Sequence, residues 1–119
     1  MHPRLTPVRH LEDLDRLLEG YSVRPVLLFK HSHTCGVSAE ALDELLDHLS
    51  DRVQDASYAI VTVQTHRDLS NAVAKRLGVR HETPQVLLIS GGEVVWSASH
   101  FRVTAAAVQN AITAERAAQ

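Results

Sequence analysis

Apolar positions in the first twenty residues recur at helical spacing. Leu11, Leu14, Leu17 and Leu18 alternate with Glu12, Asp13, Asp15 and Glu19, and Gly20 supplies a residue that tolerates a left-handed stop. The pattern predicts an amphipathic helix. After Pro25 the period changes: Val26-Leu27-Leu28-Phe29 is an unbroken apolar run, as expected of a strand covered on both faces, and the polar residues from Lys30 onward are read as its end. From Ser38, Leu42, Leu45, Leu46 and Leu49 repeat at i, i+3, i+4 and i+7 opposite Glu40, Asp43, Glu44 and Asp47, the clearest helix of the chain.

Tyr58 to Val63 is rich in β-branched residues and predicts a second strand. Asp68 is placed to cap a helix through Leu69, Ala72, Val73 and Leu77 that Gly78 closes. Two strands joined by such a helix lie parallel with a right-handed crossover. Val86-Leu87-Leu88-Ile89 and Val94-Val95-Trp96 flank the short Ser90-Gly91-Gly92-Glu93 connection, which predicts an antiparallel hairpin. An alanine-rich helix with Val108, Ala111 and Ile112 on its apolar stripe follows from Thr104. The order is an α/β one: a mixed four-stranded sheet, extended by a short edge strand near Thr6 to Arg9, with helices on both faces. It matches the thioredoxin-like architecture.

Composition narrows the function classes. At 119 residues, 45% hydrophobic and 22% charged, residues 1–119 read as one ordinary globular domain, large enough to build a core without a staple. The single cysteine, Cys35, rules out an internal disulfide and any Cys-only zinc site, and points to a reducing compartment. A net charge of −2, with no basic stripe carrying interleaved aromatics, argues against nucleic acid as a partner. Met1-His2-Pro3-Arg4-Leu5 lacks the apolar region of a signal peptide, and no apolar run approaches the ~20 residues of a membrane span. A cytoplasmic protein acting as a monomer, away from membranes, is expected.

Cys35 falls between the first apolar strand and the strongest helix, at the strand's carboxyl end, where open α/β sheets bind ligands. A helix N-terminus there presents unpaired N–H groups and a partial positive charge, both of which favour thiolate over thiol. Gly36, Val37 and Ser38 would supply that first turn, and Lys30, His31 and His33 are the basic neighbours in sequence. The competing reading is an inert, buried cysteine. In Cys35-Gly36-Val37-Ser38, serine stands where a dithiol oxidoreductase carries its resolving cysteine, so an external thiol must release any mixed disulfide formed on Cys35. Ser38 can equally be read as an N-terminal cap. Thr83-Pro84 precedes the third apolar strand. Most X–Pro bonds are trans, but the thioredoxin-like architecture implies a cis-proline loop facing the cysteine here.

Val26-Leu27-Leu28-Phe29-Lys30-His31-Ser32-His33-Thr34-Cys35-Gly36-Val37-Ser38, together with Gly78-Val79-Arg80-His81-Glu82-Thr83-Pro84-Gln85-Val86-Leu87 and Ser97-Ala98-Ser99-His100, resembles the YtxJ family of monothiol bacilliredoxins (BrxC type). The likeness spans nearly the whole chain in order. It implies a thioredoxin-like fold and removal of bacillithiol from modified protein cysteines, with bacillithiol as co-substrate and no tightly bound cofactor. Cys35 would attack the mixed disulfide, carry the bacillithiol, and be freed by a second bacillithiol or a partner reductase. Bacillithiolated client proteins are the implied partners. The family commonly carries another residue where Gly36 stands.

Lys30 is then the candidate for meeting bacillithiol carboxylates as a flexible point charge, against a solvated strand end as the alternative. His31 is a candidate to stabilise the thiolate or shuttle a proton, against local hydrogen-bonding structure. Thr83 and Pro84 are assigned to thiol binding, and His100 to a loop returning toward the site, where it touches ligand or stays on the surface. Three other classes compete. His31-x-His33-x-Cys35 offers three metal ligands without a fourth. A Cys–His hydrolase lacks an evident oxyanion partner. A non-catalytic thioredoxin-like adaptor would keep the fold with an unreactive cysteine.

Overall fold

The computed structural model describes residues 4–20, 24–32, 34–50, 56–63 and 65–118. Its elements run β1 (Leu5–Pro7), α1 (Leu11–Gly20), β2 (Val26–His31), α2 (Gly36–Leu49), β3 (Ser57–Thr62), α3 (Arg67–Leu77), β4 (Gln85–Ser90), β5 (Glu93–Ser99) and α4 (Ala105–Ala118), with a short 3₁₀ turn at His100–Arg102. The five strands are ordered β1-β3-β2-β4-β5. β2 is central, with β3 parallel on one side and β4 antiparallel on the other, and β5 closes a hairpin with β4. The sheet thus contains the four expected strands and the short edge strand, which pairs parallel with β3 through Leu5–Pro7.

Strand alternation sorts the core into two clusters. Leu27, Phe29, Ile60, Val86 and Leu88 point to the side covered by α2 and α4, where they meet Ala41, Leu45, Val108 and Ile112. Val26, Leu28, Ala59, Val61 and Leu87 point to the side of α1 and α3, against Leu14, Leu69 and Val73. Both faces of β2 are therefore buried, which is why its sequence runs apolar without alternation.

Most boundaries differ from the sequence reading by one or two residues, the edge strand lying at Leu5–Pro7 instead of Thr6 to Arg9 and α2 starting at Gly36 instead of Ser38, and three further differences bear on the argument. β2 continues through Lys30 and His31, both buried, because their polar ends find partners inside the fold instead of ending the strand. The N-cap of α3 is His66, and Asp68 sits in the first helical turn, where its charge still favours the helix dipole. β5 runs to Ser99, three residues beyond Trp96. Gly78 closes α3 at φ 67°, as its position suggests. Gly91 and Gly92, at φ 60° and 80°, make the two-residue hairpin turn that needs positive φ at both central positions. Among the described residues, no helix is long and apolar enough to cross a membrane.

Candidate functional site

Because β1, β3 and β2 are parallel and β4 runs opposite, the end of β2, the start of α2 and the approach to β4 share one edge of the sheet. Lys30 pairs with Gln85, so the Thr83–Pro84 segment enters the sheet directly beside the stretch that leads to Cys35. The Thr83–Pro84 peptide bond is cis.

Cys35 is the N-cap of α2, with extended φ −107° and ψ 121°, half-buried and free. Its carbonyl accepts the Ala39 N–H at 3.1 Å, the first helical bond, and its N–H reaches Ser32 O at 3.4 Å. No side-chain bond caps the helix at this residue, so the sulfur is not tied to the N–H groups of the first turn. Gly36 and Val37 are the first two helical residues. A Cβ added at Gly36 would meet nothing within 4 Å, so neither space nor backbone conformation demands glycine there.

Ser38 is the third helical residue and not the cap. Its buried hydroxyl oxygen accepts the Ser32 N–H at 2.9 Å and bonds to His31 Nδ1 at 2.8 Å. One side chain thus ties the end of β2 and the loop after it to the helix that carries Cys35. The His31 ring is buried and tilted by 30° against that of Phe29, with centroids 5.6 Å apart, and its bond to Ser38 is the local hydrogen-bonding structure that the sequence allowed.

Lys30 departs most from expectation. It is neither a solvated strand end nor a free point charge: it has no exposed surface, and its Nζ lies 3.3 Å from His81 Nδ1. Burial, with a smaller contribution from the Arg67 charge, pulls its ammonium down to about 8 from 10.5. His81 also meets Ser70 Oγ through Nδ1 at 3.2 Å and Thr83 Oγ1 through Nε2 at 3.4 Å. Burial first, then Lys30 and Arg67, hold its ring below the ordinary histidine range, against a small opposing pull from Glu82. Sequence reasoning did not single out His81. The only signal was its place two residues before Thr83, since its partner Lys30 is 51 positions away.

His100 begins the 3₁₀ turn at φ 54° and is exposed. Its N–H donates to Pro84 O at 3.0 Å, and its Nε2 lies 3.8 Å from Glu82, whose other oxygen accepts the Ser99 hydroxyl at 2.6 Å. That bond, chiefly, holds the Glu82 carboxyl below its usual range. With Val37, Ala41, Glu40 and the exposed Phe101, His100 lines a cleft of about 310 Å³ beside the start of α2. The structure therefore brings His100 next to both the Pro84 segment and the cysteine-bearing helix. His33, the middle member of the possible metal-ligating trio, lies outside the described residues. Among the described residues no group of three His, Cys, Asp or Glu side chains is placed to hold a metal ion.

A family model described as monothiol bacilliredoxin BrxC matches residues 6–108. The chain belongs to this family. Among solved structures, a protein provisionally described as an oxidoreductase with a thioredoxin fold superposes with a TM-score of 0.81 at 30% identity, covering 91% of this chain and 93% of the other. Chloroplastic thioredoxin z superposes at 0.77 with 16% identity over 98% of each chain. A Malassezia sympodialis thioredoxin does so at 0.74 with 13% identity over 98% of this chain and 96% of its own. These last two speak to the fold alone. The bacilliredoxin family and the oxidoreductase fold together support a thiol–disulfide oxidoreductase role.

Proposed function

We propose that this bacilliredoxin removes bacillithiol from protein cysteines by a monothiol cycle on Cys35. The observation that carries the reading is the pairing of a half-buried N-cap cysteine with a buried serine three residues on. The nucleophile stands at the mouth of a helix dipole, and the position of a resolving thiol is filled by a hydroxyl that cannot form a disulfide.

In the first step the Cys35 thiolate attacks the bacillithiol sulfur of a client mixed disulfide. A Cys35–bacillithiol disulfide forms, the client sulfur leaves as thiolate and takes a proton from solvent. In the second step another thiolate, from free bacillithiol or a partner reductase, attacks the bacillithiol sulfur held on Cys35. Cys35 returns as thiolate and the oxidised equivalent leaves in the new disulfide. The backbone of Thr83, at the same sheet edge, is assigned to aligning the incoming disulfide. His100 and Val37, in the adjoining cleft, are assigned to contact with the attached thiol or client. Lys30 is buried against His81 and is not assigned a direct ligand contact.

Intact mass after exposure to oxidised bacillithiol tests the assignment. One bacillithiol adduct on the wild type, removed by free bacillithiol, and no adduct or client reduction by Cys35→Ser is the expected result. A wild-type chain that takes up no bacillithiol would overturn the assignment, and a Cys35 that also resists alkylation would make it a thioredoxin-like adaptor.

A further inference from the structure

We infer that His81 is a positioning residue for exchange at Cys35: clamped between Lys30 and Thr83, it fixes the segment leading into Pro84 only while its ring carries a single proton. The inference rests on the monothiol reading above and adds a regulatory element to the same site.

Residues 79–84 form neither helix nor strand: backbone bonds hold the two ends, Val79 N–H to Ala74 O at 3.1 Å and His100 N–H to Pro84 O at 3.0 Å, and side chains hold what lies between. His81 is the hub. Its ring joins β2 through Lys30, α3 through Ser70, and its own segment through Thr83. An ammonium has donors only, so His81 Nδ1 must be the acceptor, and the ring proton resides on Nε2. That proton is donated to Thr83 Oγ1, which leaves the Thr83 hydroxyl hydrogen to turn toward an incoming group. The tautomer is thus set by Lys30, and through it the orientation of the residue before Pro84.

A second proton on His81 reverses the arrangement. Nδ1 would become a donor facing a donor, with two like charges 3.3 Å apart around a lysine that has no exposed surface. The charged groups acting on the ring are Lys30 from β2, Arg67 from α3 and Glu82 from its own segment, two cations against one partly exposed carboxylate. Protonation therefore pushes His81 away from Lys30 and takes Thr83 with it. Exchange should fall on the acid side for a reason that does not involve the sulfur.

The test compares two reactions of the same protein from about pH 5 to pH 9. One is alkylation of Cys35 by iodoacetamide, which needs only the thiolate. The other is reduction of a bacillithiolated peptide, which also needs the Thr83 segment in place. In the wild type, the ratio of the reduction rate to the alkylation rate is expected to be flat at neutral pH and to fall in acid, as His81 takes up its second proton. His81→Asn, which can accept from Lys30 and donate to Thr83 but does not titrate, should keep reduction within about threefold and lose the extra acid limb. His81→Leu should reduce the peptide about tenfold more slowly, the worth of one or two hydrogen bonds, with alkylation unchanged. Should His81→Leu fail to fold because it strands the Lys30 ammonium, the double variant Lys30→Met/His81→Leu removes that charge and serves the same comparison. Identical pH profiles for the two reactions in the wild type, or full activity of the leucine variant, would overturn the inference while leaving the monothiol cycle standing. Normal alkylation with no reduction at any pH would overturn both.

Discussion

Phe29 and Lys30 are neighbours on the central strand, both without solvent exposure, and they face opposite halves of the molecule. On the α2 side, buried polar groups are paired closely: His31 with Ser38 at 2.8 Å and His48 with Tyr58 at 2.7 Å. On the α3 side, Lys30 and Ser70 each meet Nδ1 of the His81 ring, at 3.3 and 3.2 Å. The first arrangement needs no charge and stabilises a fixed geometry. The second buries a cation, whose desolvation is only partly offset by neutral partners. The half that carries Cys35 is built to stay still. The half that holds the Pro84 segment sits close to a protonation change.

Substituting these two neighbours gives the largest contrast. Phe29→Ala should destabilise the fold by ~3–5 kcal/mol, since it empties a fully buried aromatic site beneath α2. Lys30→Met should do the opposite and stabilise it by ~1–3 kcal/mol at neutral pH, because the stem volume is kept and no charged partner is left stranded. The sign follows from the lysine's depressed value in the folded state. Between about 8 and 10.5 the unfolded chain binds more protons than the folded one, so wild-type stability rises with pH across that window. The advantage of Lys30→Met should be full below about 8 and fade toward 10.5. Urea midpoints at several pH values would show it, and a Lys30→Met chain less stable than wild type would mean that the lysine contributes packing or bonds beyond those described.

Ser38→Ala probes the quieter side. It removes the acceptor of the Ser32 N–H and the partner of His31 Nδ1 together, and should cost ~1–2 kcal/mol. Unlike Lys30→Met, its effect should be the same from neutral to alkaline pH. It should also loosen the stretch between β2 and Cys35, read as faster amide hydrogen exchange at Ser32.

What the sequence revealed follows from this division. Elements set by local pattern were legible: the two-sided apolar run of β2, the leucine spacing of α2, the glycine pair of the hairpin, and Cys35 at a strand-to-helix junction. The Ser38 hydroxyl was legible as a position but not in its partners, because capping and loop-tying begin with the same residue near a helix start. Lys30 was misread because a lysine after an apolar run is ordinarily a strand end. Only a partner brought in from residue 81 makes its burial tolerable. Pairings across such separations leave no period in the chain, which is why the α3 side of the site surfaced only in three dimensions.

The smallest effect is expected at the far end of the same segment. Glu82 accepts the Ser99 hydroxyl and faces His100, and its side chain is 38% exposed, so solvent screens much of what its charge does. Its carboxyl titrates lower in the folded chain than in the unfolded one, where 4.5 is the ordinary value. Its contribution to stability is therefore present above 4.5 and disappears as pH falls through the folded value. Glu82→Gln keeps an acceptor for Ser99 while removing the charge, so its urea midpoint should lie slightly below wild type at neutral pH and coincide with it in acid. Added salt should narrow the neutral-pH gap by weakening attraction to His100, Arg80 and Arg102, but it should leave the Ser99 bond. If Glu82→Gln slowed peptide reduction as much as His81→Leu, the segment would be held equally from both ends. The division between a buried, proton-sensitive anchor and an exposed, weak one would then be wrong.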